Sequence, residues 1–264
     1  MKIPDIELKN KSTESLGAYN EYITDIIHEI LIVDSEYIQS IVLYGGICRD
    51  NKIINAWSDI DLFIFYNDIW RSNSLIIGNV IAKFEYVYKI RLDVTRVNIV
   101  DLNPNLLSEY NNSTVIGILS NRGSNYRILY GSLPVIEIGK DIDIKVAYRT
   151  TLNIEENFRN ILIDHDFKSL SYNDKKKIIE RVIRWINTYL RNALIICGQY
   201  TDPYEQLANI IENYYDLDVG LLYKMCYIRK NYEDYIPTSK LIDQVNQIFS
   251  IVKPQIKKKY ETIK

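Results

Sequence analysis

The sequence predicts an α+β protein, in which a mixed β-sheet with flanking helices is followed by an all-helical bundle. Up to about residue 150, short apolar runs rich in β-branched and aromatic residues alternate with helical patterns. The remaining residues place apolar side chains at helical spacing throughout. Hydrophobic residues make up 47% of the 264 residues, which is enough for a substantial core in each part. We therefore predict two domains, residues 1–150 and 151–264.

The first domain is predicted to alternate between helices and strands. Apolar residues at helical spacing over about 12–32 predict a first helix, capped at Ser12 or Thr13. The runs that follow predict strands at 38–44 and 60–66, with a short helical or irregular segment between them. Beyond these we predict a helix at 74–84, a strand over 86–100, a helix from Asn103-Pro104 to about 119, and extended structure over 126–148. The second domain is predicted to contain helices at 152–163, 173–197, 203–214, 219–229 and 238–258.

Composition excludes several classes of protein. The formal net charge of -2 disfavours a sequence-independent nucleic-acid binder. Three cysteines that lie far apart fit neither a disulfide framework nor a zinc site, and the presence of only two histidines argues against a His-rich metal centre or a Ser-His-Asp site. The first twenty residues lack a signal-peptide pattern, and no apolar run is as long as a membrane span. We expect a cytoplasmic protein.

Two aspartates stand one residue apart at the start of the second predicted strand. Residues i and i+2 of a strand point to the same side, so Asp59 and Asp61 should project together. Two carboxylates held side by side repel each other unless a positive group lies between them, and Mg²⁺ or Mn²⁺ suits such oxygen ligands. Upstream, Gly45-Gly46 lets backbone N–H groups approach a phosphate closely, and Arg49 offers further donors.

A third carboxylate follows in the next predicted strand. Asp93 is a lone acid in KIRLDVT, and a neighbouring strand could bring it beside the first two aspartates. Three such carboxylates could complete a two-metal site for phosphoryl chemistry. The alternative for Asp93 is an ion pair with Arg91 or Arg96. A second pattern of the same kind, Gly131-Ser132 followed by Asp141-Ile142-Asp143, is expected to be a hairpin with exposed aspartates.

The stretch LYGG…SDIDLFIF, followed by an isolated Asp in a later strand, resembles the nucleotidyltransferase superfamily related to DNA polymerase beta. The resemblance covers about residues 38–100. The helical half is similar in layout to that of the small antibiotic-modifying members, the aminoglycoside and lincosamide nucleotidyltransferases. Where those members usually carry Gly-Ser, this sequence has Gly46 in the place of the serine.

The resemblance implies transfer of a nucleoside monophosphate, expected to come from ATP, to a hydroxyl group of a small antibiotic. It implies Asp59, Asp61 and Asp93 as metal ligands and catalytic residues, with nucleotide binding at Gly45, Gly46 and Arg49. The general base is either Asp93 or a glutamate of the helical half, Glu155 or Glu156. The helical half is expected to choose the acceptor, and relatives suggest a homodimer.

Two other functions stay open at this point. Gly45-Gly46 followed by Arg49-Asp50 also resembles the tRNA CCA-adding enzymes, so the acceptor could be tRNA or, for a toxin-like enzyme, RNA or protein. The third hypothesis is a non-catalytic nucleotide-binding regulator, which the missing serine permits and the three acids oppose.

Overall fold

The computed structural model describes residues 14–45, 48, 59–103, 107, 112–120, 126–134, 136–164, 166–200 and 204–263. These residues divide into two compact units. The first contains α1 (Glu14–Asp34), β1 (Ile38–Tyr44), β2 (Ile60–Tyr66), α2 (Ser74–Tyr88), β3 (Leu92–Asn98) and β4 (Arg127–Gly131), with 3-10 turns at Ile69–Arg71 and Ile99–Leu102. The second contains α3 (Ser113–Leu119), α4 (Lys140–Asp164), α5 (Tyr172–Ile196), α6 (Tyr204–Ile211), α7 (Gly220–Lys230) and α8 (Ser239–Ile263).

The first unit is built on a mixed sheet, which in the described residues has four strands in the order β3-β2-β1-β4. Strand β1 runs antiparallel to β2 and to β4, whereas β2 and β3 are parallel. Because β2 lies between two other strands, its residues are buried from Leu62 to Tyr66. The predicted α+β class with a mixed sheet and flanking helices is confirmed.

Helices α1 and α2 pack together over one face of this sheet. Their contact contains three aromatic rings, with Tyr22 of α1 lying 5.8 Å from Phe84 and 4.8 Å from Tyr88, measured between ring centroids. Both α2 residues lie on the same side of the helix, since they are four residues apart. The backbone N–H of Asn73, just before α2, donates to both carboxylate oxygens of the buried Asp34 at 3.0 and 3.1 Å. These contacts fix where α2 begins and which side it buries.

The second unit has its core around α5, whose apolar residues recur at helical spacing and are buried from Ile178 to Ile196. Ser171 caps the start of α5, since its hydroxyl oxygen accepts a hydrogen bond from the N–H of Asp174 at 3.2 Å and its hydroxyl donates to the Asp174 carboxylate at 2.6 Å. Just after the end of the helix, Gly198 adopts φ +73° and donates its N–H to the carbonyl of Ile195.

Several predicted elements differ from those observed. Strands β1 and β2 are confirmed, and α5, α6, α7 and α8 match their predicted bounds to within five residues. Residues 86–88 are wrong as strand, because they form the last turn of α2. Residues 140–148 are wrong as extended structure, because α4 begins at Lys140, twelve residues before the predicted start of that helix. Within the helix predicted from Asn103-Pro104 to about 119, the described residues include α3, Ser113–Leu119. The segment 46–58, apart from Cys48, lies outside the described residues.

The boundary between the two units falls between residues 137 and 138, and α3 belongs to the second unit. The boundary at 150 inferred from the sequence lies within α4. Among the helices of the described part, none is long and apolar enough to cross a membrane.

Candidate active site

Two of the three predicted aspartates are direct neighbours across the parallel strands of the first unit. The register of β2 on β3 pairs Asp61 with Asp93, and it pairs Ile60 with Leu92. Asp59 precedes β2 by one residue, so strand alternation directs it to the same face as Asp61. The sheet therefore brings Asp59, Asp61 and Asp93 to one face, at the ends where both strands begin.

The three carboxylates differ in their access to solvent. Asp59 is buried, with 7% of its surface exposed, Asp61 is half-buried, and Asp93 is exposed. The protein can therefore hold the buried acid rigidly, while the exposed acid can contact a molecule that enters from solvent. Asp93 is the acid best placed for such a contact.

Gly45 lies against the carboxylate of Asp61. Strand β1 ends at Tyr44, whose Cα partner on β2 is Asp61. The next residue, Gly45, adopts φ +84°, and a Cβ added there would lie only 2.0 Å from Oδ2 of Asp61. Both the backbone conformation and the space require glycine at this position. The predicted glycine turn therefore also serves to admit the Asp61 side chain.

Arg91 binds the buried aspartate of the set. Its Nε donates to Oδ2 of Asp59 at 3.2 Å, and its Nη2 contacts the same oxygen. The arginine directly precedes β3, and its carbonyl accepts the N–H of Ile60 at 2.9 Å, so backbone and side chain both connect the two strand beginnings. The Arg91 side chain is 54% exposed, whereas that of Asp59 is 8% exposed.

Tyr44 lies among the same acids. Its ring stacks on Phe63 with centroids 4.1 Å apart. Burial raises the pKa of the Tyr44 hydroxyl, and the negative charges of Asp61, Asp93 and Asp59, in that order of effect, raise it further. A hydrogen bond with the Thr95 side chain opposes this rise in pKa. The Tyr44 hydroxyl thus lies close enough to all three carboxylates for each of them to raise its pKa.

The chemistry of these side chains suits a hard divalent cation, because three carboxylates supply only oxygen ligands. Within the ranges that the structure describes, no three His, Cys, Asp or Glu side chains form a group ready to hold a metal ion. Asp59 is instead bound by the Arg91 guanidinium, which holds its carboxylate. The three carboxylates are the kind of ligand that Mg²⁺ or Mn²⁺ prefers. Their side chains would have to move closer together to coordinate one ion.

Sequence reasoning placed some of these residues and missed others. Gly45 lies beside Asp61, whereas Gly46 and Arg49 lie outside the described residues. The predicted ion pair of Arg91 was with Asp93, and the structure shows that Arg91 binds Asp59. Of the two arginines considered, Arg96 donates to the Ser74 hydroxyl at the start of α2. The two-residue spacing of Arg91 and Asp93 was the sequence signal for this contact. Alternate residues of a strand share a face, so this spacing places Arg91 on the face that carries the aspartates.

The two glutamates named as general bases lie in the second unit, on α4. Glu155 is 6% exposed and accepts a hydrogen bond from the Tyr189 hydroxyl at 3.1 Å. Its other oxygen is bound by the ammonium group of Lys253 on α8. A carboxylate held in this way on both oxygens links three helices, which is a structural role. Glu156 is exposed.

The second Asp-x-Asp pattern is not a hairpin, as had been expected, but the first turn of α4. Asp141 is exposed and pairs with Lys145 at 3.5 Å. Asp143 is buried and accepts a hydrogen bond from the Tyr200 hydroxyl at 2.6 Å. In a helix, residues two apart do not point the same way, so these carboxylates do not project together.

The fold has a counterpart among solved structures. Spectinomycin adenyltransferase AAD(9) from Enterococcus faecialis, in a structure with ATP and spectinomycin, aligns with a TM-score of 0.59 over 90% of this chain and 98% of that chain, at 13% identity. This likeness shows that the chain shares the fold of that adenyltransferase, in agreement with the fold expected from the sequence.

Other comparisons add little. A chain from a toxin-antitoxin structure with AMP-PNP aligns with a TM-score of 0.27 over 55% of this chain and 98% of that chain, at 14% identity, and a score at that level does not establish a shared fold. No protein-family model matches the sequence, and no curated protein matches it.

Proposed function

We propose that this protein is a nucleotidyltransferase that transfers AMP from ATP to a hydroxyl group of a small antibiotic of the aminoglycoside or lincosamide type. The observation that carries the proposal is the pairing of Asp61 with Asp93 across β2 and β3, with Asp59 on the same face and Gly45 packed against Asp61. Three carboxylates on one face can hold the metal ions that stabilise the attacking and leaving oxygens, and a glycine turn beside them can admit phosphates. The fold shared with an adenyltransferase supports the same activity.

Each residue has a role in this proposal. Asp59, Asp61 and Asp93 would hold Mg²⁺ or Mn²⁺, which when bound neutralises phosphate charge and polarises the reacting phosphoryl group. Gly45, with Gly46 and Arg49, would bind the phosphates of ATP. Asp61 is held in position by its contact with Gly45.

In the reaction, the acceptor oxygen forms a bond to the α-phosphorus, and the bond from that phosphorus to the bridging oxygen breaks. Pyrophosphate leaves with those electrons, and the proton of the acceptor hydroxyl passes to a carboxylate oxygen. We assign this proton transfer to Asp93, because it is the exposed acid of the set, whereas Glu155 is buried and bound by Lys253 and Tyr189.

The test is transfer of label from α-labelled ATP in the presence of Mg²⁺. The acceptors are spectinomycin, a panel of aminoglycosides and lincosamides, and bulk tRNA. Label on a drug is the expected result. Label on tRNA would replace the antibiotic acceptor with RNA, and the absence of any Mg²⁺-dependent ATP binding would refute the proposal.

Variants connect the activity to the site. We expect Asp61→Asn and Asp93→Asn each to lower turnover by at least about 100-fold, because each removes charge that metal binding needs. The matched control is Asp141→Asn, which removes an exposed aspartate of the second Asp-x-Asp pattern and should leave turnover unchanged. Wild-type turnover in the Asp61 variant would contradict the assignment.

A further inference from the structure

A positive side chain already occupies the buried carboxylate of the acidic set. Arg91 directs both Nε and Nη2 to the same oxygen of Asp59, Oδ2. Asp59 is only 7% exposed, so little water is available to replace this contact. A buried carboxylate bound by a guanidinium is held more firmly than an exposed ion pair, because the competing hydration is weak.

The Arg91 side chain can move away from Asp59. It is 54% exposed, so the guanidinium can enter solvent without losing a packed environment. Its backbone is held independently, since the carbonyl of Arg91 accepts the N–H of Ile60. The ion pair can therefore open while the strands stay paired.

We infer that Arg91 is a positioning residue that competes with the divalent cation for Asp59. The inference rests on the proposed function, because it takes Asp59 to be a metal ligand. A guanidinium and a divalent cation that bind the same carboxylate repel each other, so each weakens the binding of the other. Loading the site is therefore favoured when Arg91 moves away from Asp59. Without the cation, Arg91 balances part of the repulsion among the three aspartates.

This role predicts an effect of opposite sign to that of a merely structural ion pair. If Arg91 only held Asp59 in its binding geometry, removing the guanidinium would weaken cation binding. If Arg91 competes for Asp59, removing it strengthens cation binding. The sign of the change separates the two roles without any measurement of turnover.

The experiment measures Mn²⁺ binding to the purified full chain by titration calorimetry, in the absence of nucleotide. We expect Arg91→Gln to bind Mn²⁺ about tenfold more tightly than the wild type, which corresponds to about 1.4 kcal/mol. The charge-matched control is Arg96→Gln, which removes a cation from β3, five residues further along the chain, where the side chain binds Ser74. Its Mn²⁺ affinity should equal that of the wild type.

A stability measurement guards against misfolding of the variant. In a chelator, Arg91→Gln should unfold at a lower temperature than the wild type, because the buried Asp59 loses the Arg91 guanidinium. Saturating Mn²⁺ should reduce that difference by about 1.4 kcal/mol, since the stabilisation by a ligand grows with the logarithm of its affinity and the variant binds about tenfold more tightly. A variant that stays equally destabilised in saturating Mn²⁺ would overturn the inference.

The outcomes separate this inference from the proposed function. Unchanged or weaker Mn²⁺ binding by Arg91→Gln, together with loss of binding in Asp59→Asn, would overturn the competition and leave the metal site in place. Mn²⁺ binding that Asp59→Asn leaves intact would overturn both, because the cation would then lie elsewhere.

Discussion

The contact between Gly45 and Asp61 makes the replacement Gly45→Ala a sharp test of the site. The new Cβ would lie 2.0 Å from Oδ2 of Asp61, and real Cβ contacts are essentially never shorter than 3.0 Å. The carboxylate must therefore move by about 1 Å, and a displacement of that size at reacting groups costs roughly 100-fold in rate. We expect Gly45→Ala to lower turnover by at least about that factor.

The same replacement carries a backbone cost that has to be separated from the displacement. At φ +84°, alanine is strained by about 1–2 kcal/mol relative to glycine. Gly198 provides the matched control, because it has φ +73° and no atom within 4 Å of an added Cβ. Gly198→Ala should lose a similar free energy of unfolding and keep full activity.

The assay combines urea unfolding with label transfer from α-labelled ATP and with Mn²⁺ binding. We expect the two alanine variants to lie close together in stability and far apart in turnover. Wild-type turnover and Mn²⁺ affinity in Gly45→Ala would refute the reasoning, because they would show that the position of the Asp61 carboxylate is not set by the glycine.

Three further predictions concern the fold. Lys253→Met should lower the free energy of unfolding by about 2 kcal/mol, because the buried Glu155 loses its cation, although Lys253 itself is partly exposed. Adding Glu155→Gln should recover part of this loss, measured by urea unfolding. Asp143→Asn should lower the free energy of unfolding by about 1–2 kcal/mol, because it weakens the hydrogen bond from the Tyr200 hydroxyl. The variant should keep its rate of label transfer. A loss of transfer with unchanged stability would contradict a structural role for Asp143. The free energy of unfolding should also fall as the pH rises above 10.0. Burial raises the pKa of residues such as Tyr189 in the folded state, so only the unfolded chain loses the phenolic proton in this range. The loss near pH 11 should reach about 1.4 kcal/mol for each buried tyrosine. Tyrosinate absorbance that develops well before unfolding would contradict this last prediction. The other tyrosines with strongly raised pKa are Tyr22, Tyr44, Tyr66 and Tyr215.

Errors in the predicted elements arose where local preference is ambiguous. The run from Tyr86 to Val100 is rich in aromatic and β-branched residues, and it was predicted as one strand. Its first residues instead finish α2, because Phe84 and Tyr88 on one side of that helix pack against Tyr22 of α1. Such a contact joins residues more than sixty positions apart, and local propensity does not record it.

The sequence by itself determined the class of fold, strands β1 and β2, and the common face of Asp59 and Asp61. These follow from apolar runs and from the two-residue period of a strand, which act over a few neighbouring residues. Only the tertiary structure decided that Asp93 lies beside Asp61, that Gly45 makes room for the Asp61 carboxylate, and that Arg91 binds Asp59. Each of these depends on the register between strands, and that register is set by the packing of the whole sheet.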